Sequence, residues 1–154
     1  MSQYTGIIER LEKATGPDRE LDCDIAFATN AYDFKLSHGF ENCHIERGNS
    51  RNDEGVEVIV ADKGKLHYWE PYNRYTSSLD AAISLFEIML PDWHRALVNY
   101  RSHDGVVEVA EIGPNRWADR GECAPPDNII AEGKTPSIAL LIAMFRALEA
   151  EAKP

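Results

Sequence analysis

The feature that most constrains this chain is an apolar helix near its C-terminus. Thr135 and Pro136 are residue types that favour the N-cap and the first helical position. Five large apolar side chains then recur at helical spacing along one face: Ile138, Leu141, Ile142, Phe145 and Leu148. The opposite flank carries Leu140, Ala143, Met144 and Ala147. Burying each large side chain contributes about 1.5 to 3 kcal/mol. This helix is therefore expected in the core, with its second flank covered either within the subunit or by another subunit.

Three other segments show a 3.6-residue pattern with recognisable ends. Residues 5–15 form a short amphipathic pattern that stops at Gly16-Pro17. Pro17 is expected to open a second helix that runs to about Ala28, with acidic residues in its first turn. A third helix follows the N-cap candidates at 76–78. Its apolar stripe consists of Leu79, Ile83, Phe86 and Leu90, widened by Leu85, Ile88 and Met89.

Two β-hairpins and a short edge strand are predicted between these helices. The first hairpin joins residues 56–61 to 65–70 through a turn at Lys63-Gly64, and the second joins 93–100 to 106–112 through a turn at 102–105. Ile129 and Ile130 are expected to add the edge strand. The apolar residues of 30–55 recur neither every 2 residues, as in a strand, nor every 3.6 residues, as in a helix. This segment is therefore predicted to form a long variable loop or insertion.

The order of these elements defines the predicted fold class. Two helices, a hairpin, a helix, a hairpin and a final helix are typical of an α+β protein. We expect a three-layer α-β-α sandwich, with a mostly antiparallel sheet of four or five strands and about four helices. The 154 residues suit a single domain over 1–154. No G-x-G-x-x-G follows a strand, so a dinucleotide-binding fold is disfavoured.

The net charge and the composition exclude some classes of partner and indicate the cellular compartment. A formal net charge of −10 argues against nucleic acid, because phosphate binding depends on Lys and Arg. No apolar run approaches the roughly 20 residues that span a bilayer. The first residues lack a secretory signal pattern, and three cysteines at wide spacing argue against a disulfide framework. We therefore expect a cytoplasmic protein with no membrane contact.

Three segments of the sequence resemble one protein family. Residues 75–82 (YTSSLDAA), continuing to the PDW at 91–93, and residues 132–140 (EGKTPSIAL) are similar to motifs of the phage ABA sandwich domain family. Residues 7–22 are similar to that family's opening. The resemblance covers about two thirds of the chain and leaves out residues 30–55. It implies a small protein encoded by phages or prophages, with an α-β-α layered fold and no assigned activity, so no catalytic residue can be carried over.

Candidate catalytic and cofactor motifs are incomplete in this sequence. Gly133-Lys134-Thr135 ends like a P-loop, but the position of the first glycine is Asn128 and Pro136 removes an N–H donor. Ser102-His103-Asp104 contains the residue types of a catalytic triad, yet adjacent residues in a tight turn cannot adopt its geometry. We predict no catalytic residue and no cofactor.

Two groups of residues are candidate metal ligands. His38, Cys43 and His44 lie in one predicted loop, but an obvious fourth zinc ligand is missing, so polar loop residues are the favoured interpretation. Four acidic residues alternate near the second helix: Asp18, Glu20, Asp22 and Asp24. They lack the glycine and distal glutamate of a calcium loop, which favours a solvated helix start. We therefore assign no metal site.

Aromatic and arginine side chains mark a possible partner-binding surface. Tyr72, Arg74 and Tyr75 lie where a strand gives way to a helix, and Arg116 and Trp117 lie in a loop rich in Gly and Pro. Such residues are enriched in interface hot spots. The favoured alternative for the first group is that the preceding Tyr68 or Trp69 belongs to the core and that the other aromatic residues cover it.

The function predicted from these observations is that of a non-catalytic phage or prophage accessory protein in the bacterial cytoplasm. It would act by binding a protein, which is a host protein, a phage protein or a second copy in a homodimer. The alternative is a small-molecule-binding protein or small enzyme that uses a pocket near residues 30–55.

Overall fold

A computed structural model describes residues 4–31, 44–51, 57–63, 66–68, 72–103, 105–115 and 128–152. The four helices of these ranges are α1 (Thr5–Lys13), α2 (Arg19–Thr29), α3 (Leu79–Met89) and α4 (Pro136–Glu151). The six strands are β1 (His44–Arg51), β2 (Glu57–Lys63), β3 (Leu66–Tyr68), β4 (Trp93–Ser102), β5 (Gly105–Pro114) and β6 (Ile129–Gly133). None of the described helices is long and apolar enough to cross a membrane.

The described strands form two antiparallel sheets of three strands each, in the orders β1-β2-β3 and β4-β5-β6. The predicted α+β class and both predicted hairpins are confirmed. The sequence indicated a single sheet of four or five strands, and the described strands instead form two sheets. The three-layer arrangement stays a prediction.

Helix α4 forms the centre of the described core. Both flanks are buried, since Leu141 and Phe145 on one side and Leu140 and Met144 on the other are at most 1% exposed. The helix contacts α1, α3, β5 and β6. The second apolar flank is therefore covered within the chain and does not require another subunit.

Capping side chains place the helix starts close to the predicted positions. Thr135 accepts a hydrogen bond from the Ile138 N–H at 3.2 Å, and Ser78 accepts one from the Ala81 N–H at 3.2 Å. Helix α2 begins two residues later than predicted, because the Asp18 side chain accepts from the Leu21 N–H at 3.0 Å and acts as the N-cap. Pro17 therefore lies before the cap rather than at the first helical position.

Two local predictions differ from the structure. β1 lies inside residues 30–55, which were predicted to form a loop, because pairing with β2 overrides a sequence that lacks strand periodicity. Ile88, predicted to widen the buried stripe of α3, is 56% exposed. It lies on the side of α3 that faces away from the core formed by Leu85, Phe86 and Leu90.

Candidate functional site

The structure places the predicted partner-binding residues in different environments. Tyr72 and Tyr75 are buried, with 3% and 2% of their surface exposed, whereas Arg74 is exposed. Arg116 and Trp117 lie outside the described residues. The predicted surface is therefore corrected at both tyrosines, which belong to the core.

Contacts with the N-terminal helices explain why the two tyrosines are buried. The Arg19 guanidinium lies over the Tyr72 ring, 4.2 Å from its centre. The Tyr75 hydroxyl donates a hydrogen bond to the Ala31 carbonyl at 3.1 Å. Both partners are more than 40 residues away in sequence, so no local pattern could have indicated them.

Two of the four alternating acidic residues, Asp18 and Asp22, connect α2 to the segment before α3. Asp22 is 1% exposed and accepts hydrogen bonds from the Thr76 N–H at 2.7 Å and from the Arg19 guanidinium at 3.1 Å. The Asp18 N–H donates to the Thr76 hydroxyl at 2.9 Å. These bonds join the start of α2 to the segment that leads into α3. Burial raises the pKa of Asp22, and the hydrogen bonds from Thr76 and Arg19 oppose that shift only in part.

An open groove of about 610 Å³ lies where α1 meets α2. Its lining includes Arg10, Lys13 and Arg19 together with Asp18 and Glu20. The Arg10 guanidinium forms ion pairs with Asp18 and Asp24, and the Arg19 guanidinium pairs with Asp22. Both arginines of the groove therefore already pair with carboxylates.

The P-loop-like Gly133-Lys134-Thr135 is a tight connection between β6 and α4. A Cβ atom at Gly133 would lie 2.5 Å from the backbone nitrogen of Ala139. The glycine thus permits close packing of the strand end on the helix, and Thr135 caps that helix. Both residues have a structural role here.

The candidate metal ligands are only partly within the described residues. His38 and Cys43 lie outside them, and His44 is the first residue of β1. Within the described ranges, no group of three or more His, Cys, Asp or Glu side chains is placed to hold a metal ion. His103 is exposed in the β4–β5 turn, and the neighbouring Asp104 is outside the described residues.

The most distinctive surface is one face of the β4-β5-β6 sheet. Ala110 and Ile112 of β5 and Ala131 of β6 are at most 2% exposed and point to the side where α4 packs. Because side chains alternate across a strand, their sequence neighbours point to the opposite side. We call this side the outer face and define it by Val98 and Tyr100 of β4, Val107 and Val109 of β5, and Ile130 of β6.

The outer face is accessible and largely apolar, and it also carries Glu111 and Glu132, which pair across the strands with Ile130 and Val109. Val98, Tyr100 and Ile130 are 56%, 46% and 59% exposed, and the two β5 valines are half-buried. Val98 pairs with Val109 and Tyr100 with Val107, so apolar side chains lie next to one another across the strands. An exposed cluster of apolar side chains of this kind is typical of interaction sites.

Tyr100 is held in place on this face. Its hydroxyl donates a hydrogen bond to the Glu132 carboxylate at 3.0 Å, so the ring extends across β5 towards β6. That hydrogen bond raises the pKa of the Tyr100 hydroxyl. Aromatic side chains that are already ordered bind partners at a lower entropic cost.

The sequence of β5 alone gives part of the evidence for the apolar outer face. Residues 106–112 alternate in a way that leaves apolar side chains on both faces of β5. Which face α4 would cover could not be read from that pattern, because it depends on the packing of a helix that lies more than 20 residues further along the chain.

Comparisons with protein-family models, curated proteins and solved structures find no match for this chain.

Proposed function

We propose that this chain is a non-catalytic accessory protein, encoded by a phage or prophage, that acts in the bacterial cytoplasm by binding another protein through the outer face. The observation that carries the proposal is the exposed apolar patch of Val98, Tyr100 and Ile130 in a chain of net charge −10. The phage assignment depends on the resemblance of residues 75–82 and 132–140.

The sheet geometry supports binding through this face. In a three-layer α-β-α sandwich, a second layer would cover the side of the sheet that lies opposite α4. The accessible side chains of the outer face leave room for such a layer, and we propose that a partner protein supplies it. A sheet face on which valine, isoleucine and tyrosine outnumber two glutamates suits a protein surface better than a small polar metabolite.

The alternative is a small-molecule site near residues 30–55, most of which lie outside the described residues. The described groove lies between α1 and α2 instead, and its two arginines already pair with carboxylates.

Two isoleucines test the proposal, because they are almost equally exposed but lie on different surfaces. Ile130 on the outer face is 59% exposed, and Ile88 on α3 is 56% exposed. Immobilised wild-type protein, Ile130→Lys and Ile88→Lys are used to capture proteins from a bacterial host lysate. Wild type and Ile88→Lys are expected to retain the same partner, whereas Ile130→Lys retains it about tenfold less, as for an interface hot spot. Equal capture by both variants, with both folded, would refute the use of this face.

A further inference from the structure

We propose that the protein bound by the outer face presents two lysine or arginine side chains beside an apolar patch, and that these cations bind Glu111 and Glu132. The inference rests on the proposed function, because it concerns the partner of the same face. It adds the chemistry of that partner, which distinguishes a basic protein surface from an acidic one and from a second copy of this chain.

The two glutamates are neighbours on the outer face. Glu111 of β5 pairs with Ile130 of β6, and Glu132 of β6 pairs with Val109 of β5. The glutamates are therefore diagonal neighbours, whose Cα atoms lie about 7 to 8 Å apart. Glu132 is exposed and Glu111 is half-buried. Two negative charges thus lie at a defined spacing within a largely apolar surface.

The hydrogen bonds of these two carboxylates leave acceptor capacity for a cation. The Asn128 side-chain amide donates to Oε1 of Glu111 at 2.6 Å, and the Tyr100 hydroxyl donates to Oε1 of Glu132 at 3.0 Å. Lys134 follows the end of β6 and, like the other described lysines and arginines, forms no ion pair with either glutamate. An ionised carboxylate has about four acceptor sites on its two oxygens. Each glutamate can therefore accept a further, charge-assisted hydrogen bond.

The charges of this sheet are divided between its two sides. Arg95 of β4 pairs with the buried Ile112, and its guanidinium bonds to the Glu87 carboxylate of α3 at 3.0 Å. Arg101 is six residues further along the same strand, so alternation places it on the same side as Arg95. The outer side of the described strands β4, β5 and β6 carries no lysine or arginine. The fixed charges of the outer face are therefore negative.

Charge complementarity selects a basic partner for this face. A negative surface in a chain of net charge −10 attracts a cationic protein surface and repels an acidic one. A second copy would bring the same glutamates and the same net charge to the interface. Side chains two residues apart on an extended strand lie about 6.6 Å apart, close to the spacing of the two glutamates. Arginine suits the position best, because its guanidinium can form two parallel bonds to one carboxylate.

Three synthetic peptides of equal length test the proposed chemistry. Each has two variable positions that are two residues apart, with valines two residues before and after them. The variable positions are both arginine, both glutamine or both glutamate. NMR titration of isotope-labelled protein measures the affinity and shows whether outer-face residues shift.

The arginine peptide is expected to bind wild type about fivefold more tightly than the glutamine peptide, as two partly exposed ion pairs allow. The glutamate peptide is expected to bind least tightly. The preference for arginine should decrease at a salt concentration of about 1 M, which screens exposed charges.

Matched substitutions test whether Glu111 and Glu132 cause the preference. Glutamine keeps an oxygen that can accept from Asn128 or Tyr100, so Glu111→Gln with Glu132→Gln removes the charges and retains these hydrogen bonds. This double variant should bind the arginine and glutamine peptides equally. The control, Glu9→Gln with Glu151→Gln, removes the same net charge from exposed positions of α1 and α4 and should keep the preference.

The outcomes separate this inference from the proposed function. Equal binding of the arginine and glutamine peptides to the outer face, weakened in Ile130→Lys, would overturn the inference and support the face as a binding surface. A preference for arginine that persists in the double outer-face variant, or no binding of any peptide at about 1 mM, would also overturn the inference. Equal capture of lysate proteins by Ile130→Lys and Ile88→Lys would refute the use of the face itself.

Discussion

At the scale of single residues, Asp22 shows how one member of an acidic cluster differs from its neighbours. Asp18, Glu20 and Asp24 are partly accessible, whereas the Asp22 carboxylate is enclosed and accepts hydrogen bonds from Thr76 and Arg19. Its position depends on a contact across 54 residues of sequence. A pattern of alternating acids cannot indicate which of them such a contact will bury.

The raised pKa of Asp22 predicts a pH dependence of stability. When a carboxyl group has a higher pKa in the folded than in the unfolded state, its stabilising contribution is present in full below the unfolded pKa, about 3.9, and is lost as pH rises through the folded pKa. Wild type should therefore gain free energy of unfolding relative to Asp22→Asn as the pH falls through this window. The variant keeps an oxygen that can accept from the Thr76 N–H.

Urea denaturation of wild type and Asp22→Asn over a series of pH values measures this difference directly. Each pKa unit of elevation corresponds to about 1.4 kcal/mol between the two ends of the window. The expectation is wrong if the difference in free energy of unfolding is constant across acidic pH, or if acid weakens wild type more than the variant.

At the scale of elements, sequence predicted those helices and hairpins whose ends carry their own signals. Thr135-Pro136 and Ser78 determine where α4 and α3 begin, and the two hairpins follow from β-branched segments around short turns. β1 was missed because its sequence, HIERGNSR, has a single large apolar residue. That strand forms through backbone pairing with β2, which no pattern within its own eight residues encodes.

The junction of β6 and α4 supplies a prediction at this scale. A methyl group at Gly133 would meet the backbone of Ala139, which cannot move without displacing the start of the central helix. Gly133→Ala should lower the free energy of unfolding by about 1 to 3 kcal/mol, as overpacking does. A methyl group at Gly6 in α1 would meet no described atom within 4 Å, so Gly6→Ala is the control and should be neutral or stabilising.

Thermal or denaturant unfolding of Gly133→Ala and Gly6→Ala measures the two changes in stability. If Gly133→Ala were as stable as wild type, the close packing of β6 on α4 would not exist as described. The P-loop-like motif would then lack the structural explanation given for it.

At the scale of the whole molecule, the candidate site depends on how the elements are assembled. Tyr72 and Tyr75 were candidates because aromatic residues near arginine are typical of interfaces, yet the N-terminal helices cover them. The outer face was not a candidate because its valines resemble those of any buried strand. Only the position of α4 on the opposite side of the sheet determines that these side chains are accessible.

The comparison of Ile130→Lys with Ile88→Lys tests this account most directly, because the two isoleucines are 59% and 56% exposed and only Ile130 lies on the outer face. We expect wild type and Ile88→Lys to retain the same partner from a host lysate, and Ile130→Lys to retain about tenfold less of it. Equal retention by the two folded variants would contradict the account.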